Sequence, residues 1–177
     1  MVRVATDKKR GTEVISDMLR SLAVVGIVIV PLWLLIPHHA KQTVTRIDYS
    51  TALSQARRLS THPVLAPAAL PSGWTATSVS LAGGNGKPIV FHIGFVTPAG
   101  DYAAVEESDG PQPGYLVTLL GNTPKGLGDV RVGALAWRSL RGADGRVALV
   151  RPSTPPTVVV TGTAALPELV TLALSLR

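Results

Sequence analysis

The sequence predicts an α+β domain, one antiparallel sheet with helices packed on a face, behind an N-terminal transmembrane helix. Three observations predict it. A charge-free apolar block stands near the N-terminus. Beyond it, short stretches of β-type patterning are separated by glycine- and proline-bearing turns, which implies antiparallel pairing. Stretches at helical spacing are interspersed, giving the order helix, three strands, helix, three or four strands, helix. The 177 residues give room for one ordinary domain plus a small extra element.

The apolar block is "SLAVVGIVIVPLWLLIPHHA", Ser21 to Ala40, without Asp, Glu, Lys or Arg. Its core, Leu22 to Ile36, crosses a hydrocarbon layer of roughly 30 Å if His38 and His39 lie at the far interface. Pro31 is tolerated in a spanning helix, and Trp33 suits an interface. No small-residue cleavage site follows, and no polar stripe marks a buried soluble helix. Arg3, Lys8, Lys9, Arg10 and Arg20 precede the block, against Lys41, Arg46 and Arg57 after it. That bias predicts a cytoplasmic tail (1–20), a single-pass anchor in the cell membrane (21–40) and an extracytoplasmic domain (41–177).

The exported part opens with Tyr49, Leu53, Ala56 and Leu59 at helical spacing, so Ser50 to Leu59 is expected to be a short amphipathic helix. Pro63, Pro67 and Pro71 then forbid regular structure, and an extended segment lying over the domain is expected. "WTATSVSLA" begins the sheet. "GGNGKP" is a turn, because a phosphate loop would need Gly, four residues and then Gly-Lys-Ser/Thr. In "IVFHIGFVT" the residues Ile89, Phe91, Ile93 and Phe95 alternate onto a core face, leaving His92 on the other. "PAGD" turns the chain into "YAAVEES".

"PGYLVTLLG" has proline in the first turn and glycine past the last, with Tyr115, Leu116, Leu119 and Leu120 as its buried stripe. "DVRVGALAWRSL" and "RVALVRP" read as strands around Gly133 and around "GADG". "TVVVTG" is a β-branched strand. The chain closes with a helix in "TAALPELVTLALSLR", where Thr163 is the candidate cap and Leu169, Leu172, Ala173 and Leu176 line one face. The two strand-then-helix halves suggest a duplicated unit, without sequence similarity between them.

Composition limits the chemistry. There are 17 Lys and Arg against 11 Asp and Glu, a net charge of +6. The basic residues are spread along the chain, and aromatic residues are only 5%, which provides no stacking platform for nucleic acid. A basic surface facing an anionic membrane or cell wall is expected instead. With no cysteine, disulfides, zinc–thiolate sites and thiol nucleophiles are excluded.

The acidic residues gather in "TPAGDYAAVEESDGP". Strand alternation places Glu106 with Tyr102 and Ala104 on one face, and Glu107 with Ala103 and Val105 on the other, so the two do not converge. Asp109 is expected to bond its own backbone in the turn before a helix. His92 reads as a half-buried, hydrogen-bonded histidine. His38 and His39 lack a third ligand. Neither G-x-S-x-G nor H-E-x-x-H is present. Trp74 and Trp137 read as core anchors, and the arginines from Arg131 to Arg151 as an outward sheet face. No catalytic, cofactor-binding or metal-binding residue is assigned.

The stretches "SDMLRSLAVVGIVIVP", "DYSTALSQARR", "PVLAPAALPSGW", "FHIGFVTPAGDYAAVEESDG" and "VVVTGTAALPELVTLALSLR" together resemble the actinobacterial family known as domain of unknown function 4245. The likeness runs from about Ser16 to Leu176. It implies a single-pass membrane protein with an exported domain, and it brings no activity, cofactor or catalytic residue. The closing strand, turn and helix are also similar to bacterial envelope domains that bind partners or sense stress. The expected function is a non-enzymatic binding or scaffolding module of the cell envelope, whose partner is an envelope protein or a cell-wall component. Two alternatives stand beside it: a carrier or sensor of a small apolar ligand held between sheet and helices, and an envelope hydrolase using Glu106, Asp109 or His92.

Overall fold

The computed structural model describes Met18, Leu22, Val25, residues 45–152 and residues 155–177. The expected cytoplasmic tail and membrane anchor, and His38 and His39, lie outside the described residues apart from those three helical positions. Among the described residues, no helix is long and apolar enough to cross a membrane.

Helix α1 (Ser50–Leu59) leads into strands β1 (Thr75–Gly84), β2 (Lys87–Val96) and β3 (Tyr102–Ser108). Helix α2 (Gln112–Leu120) follows, then β4 (Lys125–Val132), β5 (Leu135–Arg141), β6 (Val147–Val150) and β7 (Thr157–Gly162), and finally helix α3 (Leu166–Ser175). The strands form one seven-stranded sheet in the order β1-β2-β3-β7-β6-β5-β4. Every pairing is antiparallel. This is the α+β class that the sequence predicts.

Local chemistry accounts for the joints. Asn85 and Gly86 link β1 to β2 with φ of 53° and 83°, the left-handed pair that a two-residue hairpin requires. Gly121, at φ 86°, takes the chain out of α2 where a side chain would be strained. Helix α3 is capped at Ala165 rather than Thr163: the Glu168 carboxylate accepts the Ala165 N–H at 3.2 Å. Thr163 instead accepts the Tyr102 N–H through its hydroxyl at 3.0 Å, so it ties the helix approach to β3.

The helices cover both faces of the sheet, not one. Val158 and Val160 of β7 belong to the larger core with Phe91, Ile93, Phe95 and Trp137, under Ala56 of α1 and Leu169 and Leu172 of α3. Val159, between them, belongs to a second core under Leu116 and Leu120 of α2. Successive strand residues point to opposite faces, so α2 lies across the sheet from α1 and α3. The physical reason is in β7 itself, which is buried at every position. A strand apolar on both sides needs cover on both sides.

The proline-rich segment lies over the domain as expected. It is pinned to the end of the chain: Ala66 N–H donates to the Arg177 carbonyl at 3.2 Å, Arg177 N–H to that of Ala66 at 3.0 Å, and Ala68 N–H to that of Ser175 at 3.0 Å. Val64 and Ala66 are buried by this pairing.

Candidate functional site

On the α2 face, three strands bring a polar relay together. The β2–β3 register sets His92 opposite Glu106, and the β1–β2 register sets Ser78 opposite Gly94. The pairing shifts between Ala76 and Ser78, one residue from the relay serine. Ser78 Oγ lies 3.0 Å from His92 Nε2, and His92 Nδ1 lies 2.6 Å from Glu106 Oε1. The Tyr102 hydroxyl stands 3.4 Å from the same Nε2. The Tyr115 hydroxyl, from α2, donates to Glu106 Oε2 at 3.3 Å. Burial and the neighbouring Glu106 raise the Tyr115 phenol above its ordinary range, so it serves as a donor.

Gly94 makes room for this cluster. A Cβ there would sit 2.2 Å from Ser78 Oγ and 2.8 Å from the Tyr102 hydroxyl. In chemical order, serine, imidazole and carboxylate form the arrangement in which a histidine takes a hydroxyl proton while a carboxylate orients its other nitrogen. The same bonds also fasten α2 to the sheet through Tyr115. His92 is half-buried and hydrogen-bonded, in accordance with its position between apolar strand residues.

Glu107 faces the other way. Its side chain sits in the α1/α3 face, where the residue is only 3% exposed. Leu65 N–H donates to Oε1 at 2.9 Å. Among the described residues, Oε2 has no hydrogen-bond partner. Burial pushes the carboxyl up from the ordinary 4.5 to about 8, against the Leu65 hydrogen bond and the nearby Arg151 and Arg57 charges. Glu106 and Glu107 are thus separated by the sheet. Asp109 differs from expectation: its Oδ1 accepts the Ile89 N–H at 2.6 Å, and its own N–H donates to the Ile89 carbonyl at 3.2 Å. It closes the β2–β3 ladder, while Ser108 Oγ accepts Gly110 N–H in the turn.

Beside Glu107 the surface opens into two adjoining grooves. One, about 390 Å³, is walled by Leu65, Val132, Leu135, Trp137, Leu174 and Leu176, with Arg151 and Arg177 also lining it. The other, about 510 Å³, shares Leu65 and Arg177 and adds Arg57 and His62. Leu135 and Leu174 are 41% and 47% exposed. Trp137 is buried, as expected of a core anchor, yet its Nε1 has no hydrogen-bond partner among the described residues. A larger groove, about 790 Å³, opens beside Arg46 and Trp74. Arg131, Arg138 and Arg141 are exposed and Arg146 and Arg151 partly buried, and Arg138 and Arg141 point to opposite faces of β5, so the arginines do not form one outward sheet face.

Sequence reasoning found His92 and Glu106 separately but not their contact, because register is not written in alternation. Ser78 carried no signal at all. Gly94, an isolated glycine inside a strand pattern, was the one mark of a close approach. The Leu65–Glu107 bond joins residues far apart in the chain and left no local trace.

No curated protein and no solved structure matches the chain. A family model does, over residues 10–176, nearly the whole sequence and the described sheet and helices with it. The chain therefore belongs to the family described as protein of unknown function (DUF4245).

Proposed function

We propose that the chain is a single-pass membrane protein of the actinobacterial cell envelope, and that its exported domain binds a partner rather than transforming one. One observation carries the binding reading: the pair of open grooves beside Leu65, one with apolar walls beside Arg151 and Arg177, the other lined by Arg57, His62 and Arg177. The exposed Leu135 and Leu174 share one groove with Arg151 and Arg177, a contiguous apolar and basic surface of the kind that an occupant would cover. The charge-free block from Ser21 to Ala40 is the basis for the anchor, and the Lys and Arg bias before it for the orientation.

A photo-crosslinking residue at position 174 of the full chain, in cells, tests the reading against the same residue at position 54 on the exposed side of α1. The expected adduct forms at 174 only and disappears when Arg151 and Arg177 become alanine. Equal adducts at both positions, or adducts indifferent to the arginines, would refute it.

The Ser78–His92–Glu106 relay favours a second reading, an envelope hydrolase with Ser78 as nucleophile. A fluorophosphonate probe decides it. Labelling of Ser78 that vanishes in His92→Ala would establish the relay as reactive. Absence of labelling in the intact protein would leave it as the fastening between α2 and the sheet.

A further inference from the structure

Arginine and leucine meet in the grooves beside Leu65 in an arrangement that specifies more than a generic partner. The proline-rich segment cannot drift away, because Ala66 and Ala68 are bonded to Arg177 and Ser175. Leu65 is therefore fixed between the two grooves, and its N–H is already committed to Glu107. On one side the wall is apolar, with Leu135, Leu174 and the Trp137 ring. On the other, the Arg57 guanidinium donates to the Val64 carbonyl at 3.2 Å, which sets it at the rim.

Charge is the second element. The carboxyl that feels Arg151 and Arg57 is Glu107, and burial keeps it protonated through neutral pH. While it holds that proton, Glu107 does not offset the charge of Arg151 or Arg57. Among the described residues the buried Trp137 Nε1–H has no acceptor. At about 390 Å³ and 510 Å³ the grooves fall in the roughly 300–1,000 Å³ range of small-molecule sites.

We infer that these grooves bind a single-chain anionic amphiphile, its acyl chain along Leu65, Leu135 and Leu174 and its acidic head on Arg151 and Arg177. The inference rests on the binding reading above and names the ligand class of the same site. Guanidinium suits a carboxylate or phosphate head because it presents paired N–H donors in a plane. The apolar wall supplies the remainder of the affinity, and a neutral alcohol of equal length lacks the half that the arginines recognise.

The test uses the full chain in phosphatidylcholine nanodiscs, with diazirine-bearing dodecanoate and diazirine-bearing dodecanol as probes. Adducts are mapped by mass spectrometry. The dodecanoate is expected to mark peptides holding Leu65 and Leu174 about tenfold more than the alcohol, a ratio in keeping with one charge-assisted contact. Arg151→Ala with Arg177→Ala should bring the acid down to the alcohol's level, and the lysine pair should retain part of the difference. Leu174→Glu, at an exposed position that leaves folding intact, should abolish groove adducts.

Equal marking by acid and alcohol would overturn the inference, as would dodecanoate adducts confined to residues 22–36. Displacement of the probe by phosphatidylglycerol in the disc would overturn the single-chain assignment in favour of bilayer headgroups. If dodecanoate fails while arginine-dependent adducts at position 174 persist in cells, the amphiphile falls and the binding reading stands. If both fail, both fall.

Discussion

Replacing Glu107 with glutamine should stabilise the domain at pH 8 and leave it nearly unchanged at pH 4. The side chain is buried, its Oε1 accepts Leu65 N–H at 2.9 Å, and its Oε2 meets no donor among the described residues. The folded carboxyl therefore holds its proton until about pH 8, whereas the unfolded one loses it near 4.5. Below 4.5 both states are protonated and the group is silent. Between those values the unfolded state gains charge while the folded state does not, so stability falls as pH rises. At about 1.36 kcal/mol for each pH unit, the interval sets a ceiling of roughly 5 kcal/mol, and relaxation around the carboxyl lowers the expected figure to roughly 3–5 kcal/mol. Glutamine keeps the Leu65 acceptor and removes the ionisation. The assay is urea unfolding of residues 45–177, wild type and Glu107→Gln, in steps from pH 4 to pH 9. The two curves should separate above pH 5 and run parallel again above about pH 8. Parallel curves across the whole range would refute the assignment of Glu107 as a proton-holding buried group.

The fragment 45–177 should unfold in one cooperative transition, because its cores close within it; a sloping, probe-dependent transition would contradict that. Leu172→Ala should cost roughly 2–5 kcal/mol, since Leu172 is fully buried in the larger core; a loss below about 0.5 kcal/mol would contradict its placement. Gly94→Ala should cost roughly 1–3 kcal/mol by forcing Ser78 and Tyr102 aside, and adding Ser78→Ala should recover part of it. Calcium, magnesium and manganese should not shift the melting temperature of the fragment through Glu106, Glu107 and Asp109; a saturable shift lost on replacing them with Gln, Gln and Asn would restore a metal role. A reporter fused after Arg177 should work only if it functions outside the cytoplasm, and activity of a cytoplasm-only reporter would reverse the orientation.

Local patterns carried much of the fold. Helix α1 was legible from Tyr49 to Leu59 because only one side is apolar, and β2 because Ile89, Phe91, Ile93 and Phe95 alternate. The two-sided burial of "TVVVTG" was also written there: an unbroken β-branched run is what a strand covered on both faces requires. Its consequence, a helix on each side, was not drawn, because strand order and helix side depend on long-range contacts. Thr163 illustrates a different limit. A hydroxyl before a helix reads as a cap, but the nearby Tyr102 N–H competes for it and wins, leaving Glu168 to receive Ala165 N–H. Asp109 lost its local partner to the ladder in the same way.

Glu106 and Glu107 show how little chemistry adjacency implies. They are neighbours of the same residue type on one strand, and the period of two sends them into different environments. Glu106 reaches an imidazole and a phenol, so its two oxygens are held by hydrogen bonds to β2 and α2. Glu107 reaches one amide and a layer of hydrocarbon, so the neutral form is favoured even with Arg151 and Arg57 near. The first arrangement consumes donors and rigidifies the α2 face. The second, while it holds its proton, does not offset the nearby Arg151 and Arg57 charges at the edge of an apolar groove. A protonated carboxyl beneath that groove spares the arginines from pairing inward. The proposed recognition of a ligand at once acidic and apolar rests on the combination of a neutral Glu107, groove-lining arginines and exposed leucines, rather than on any one of them.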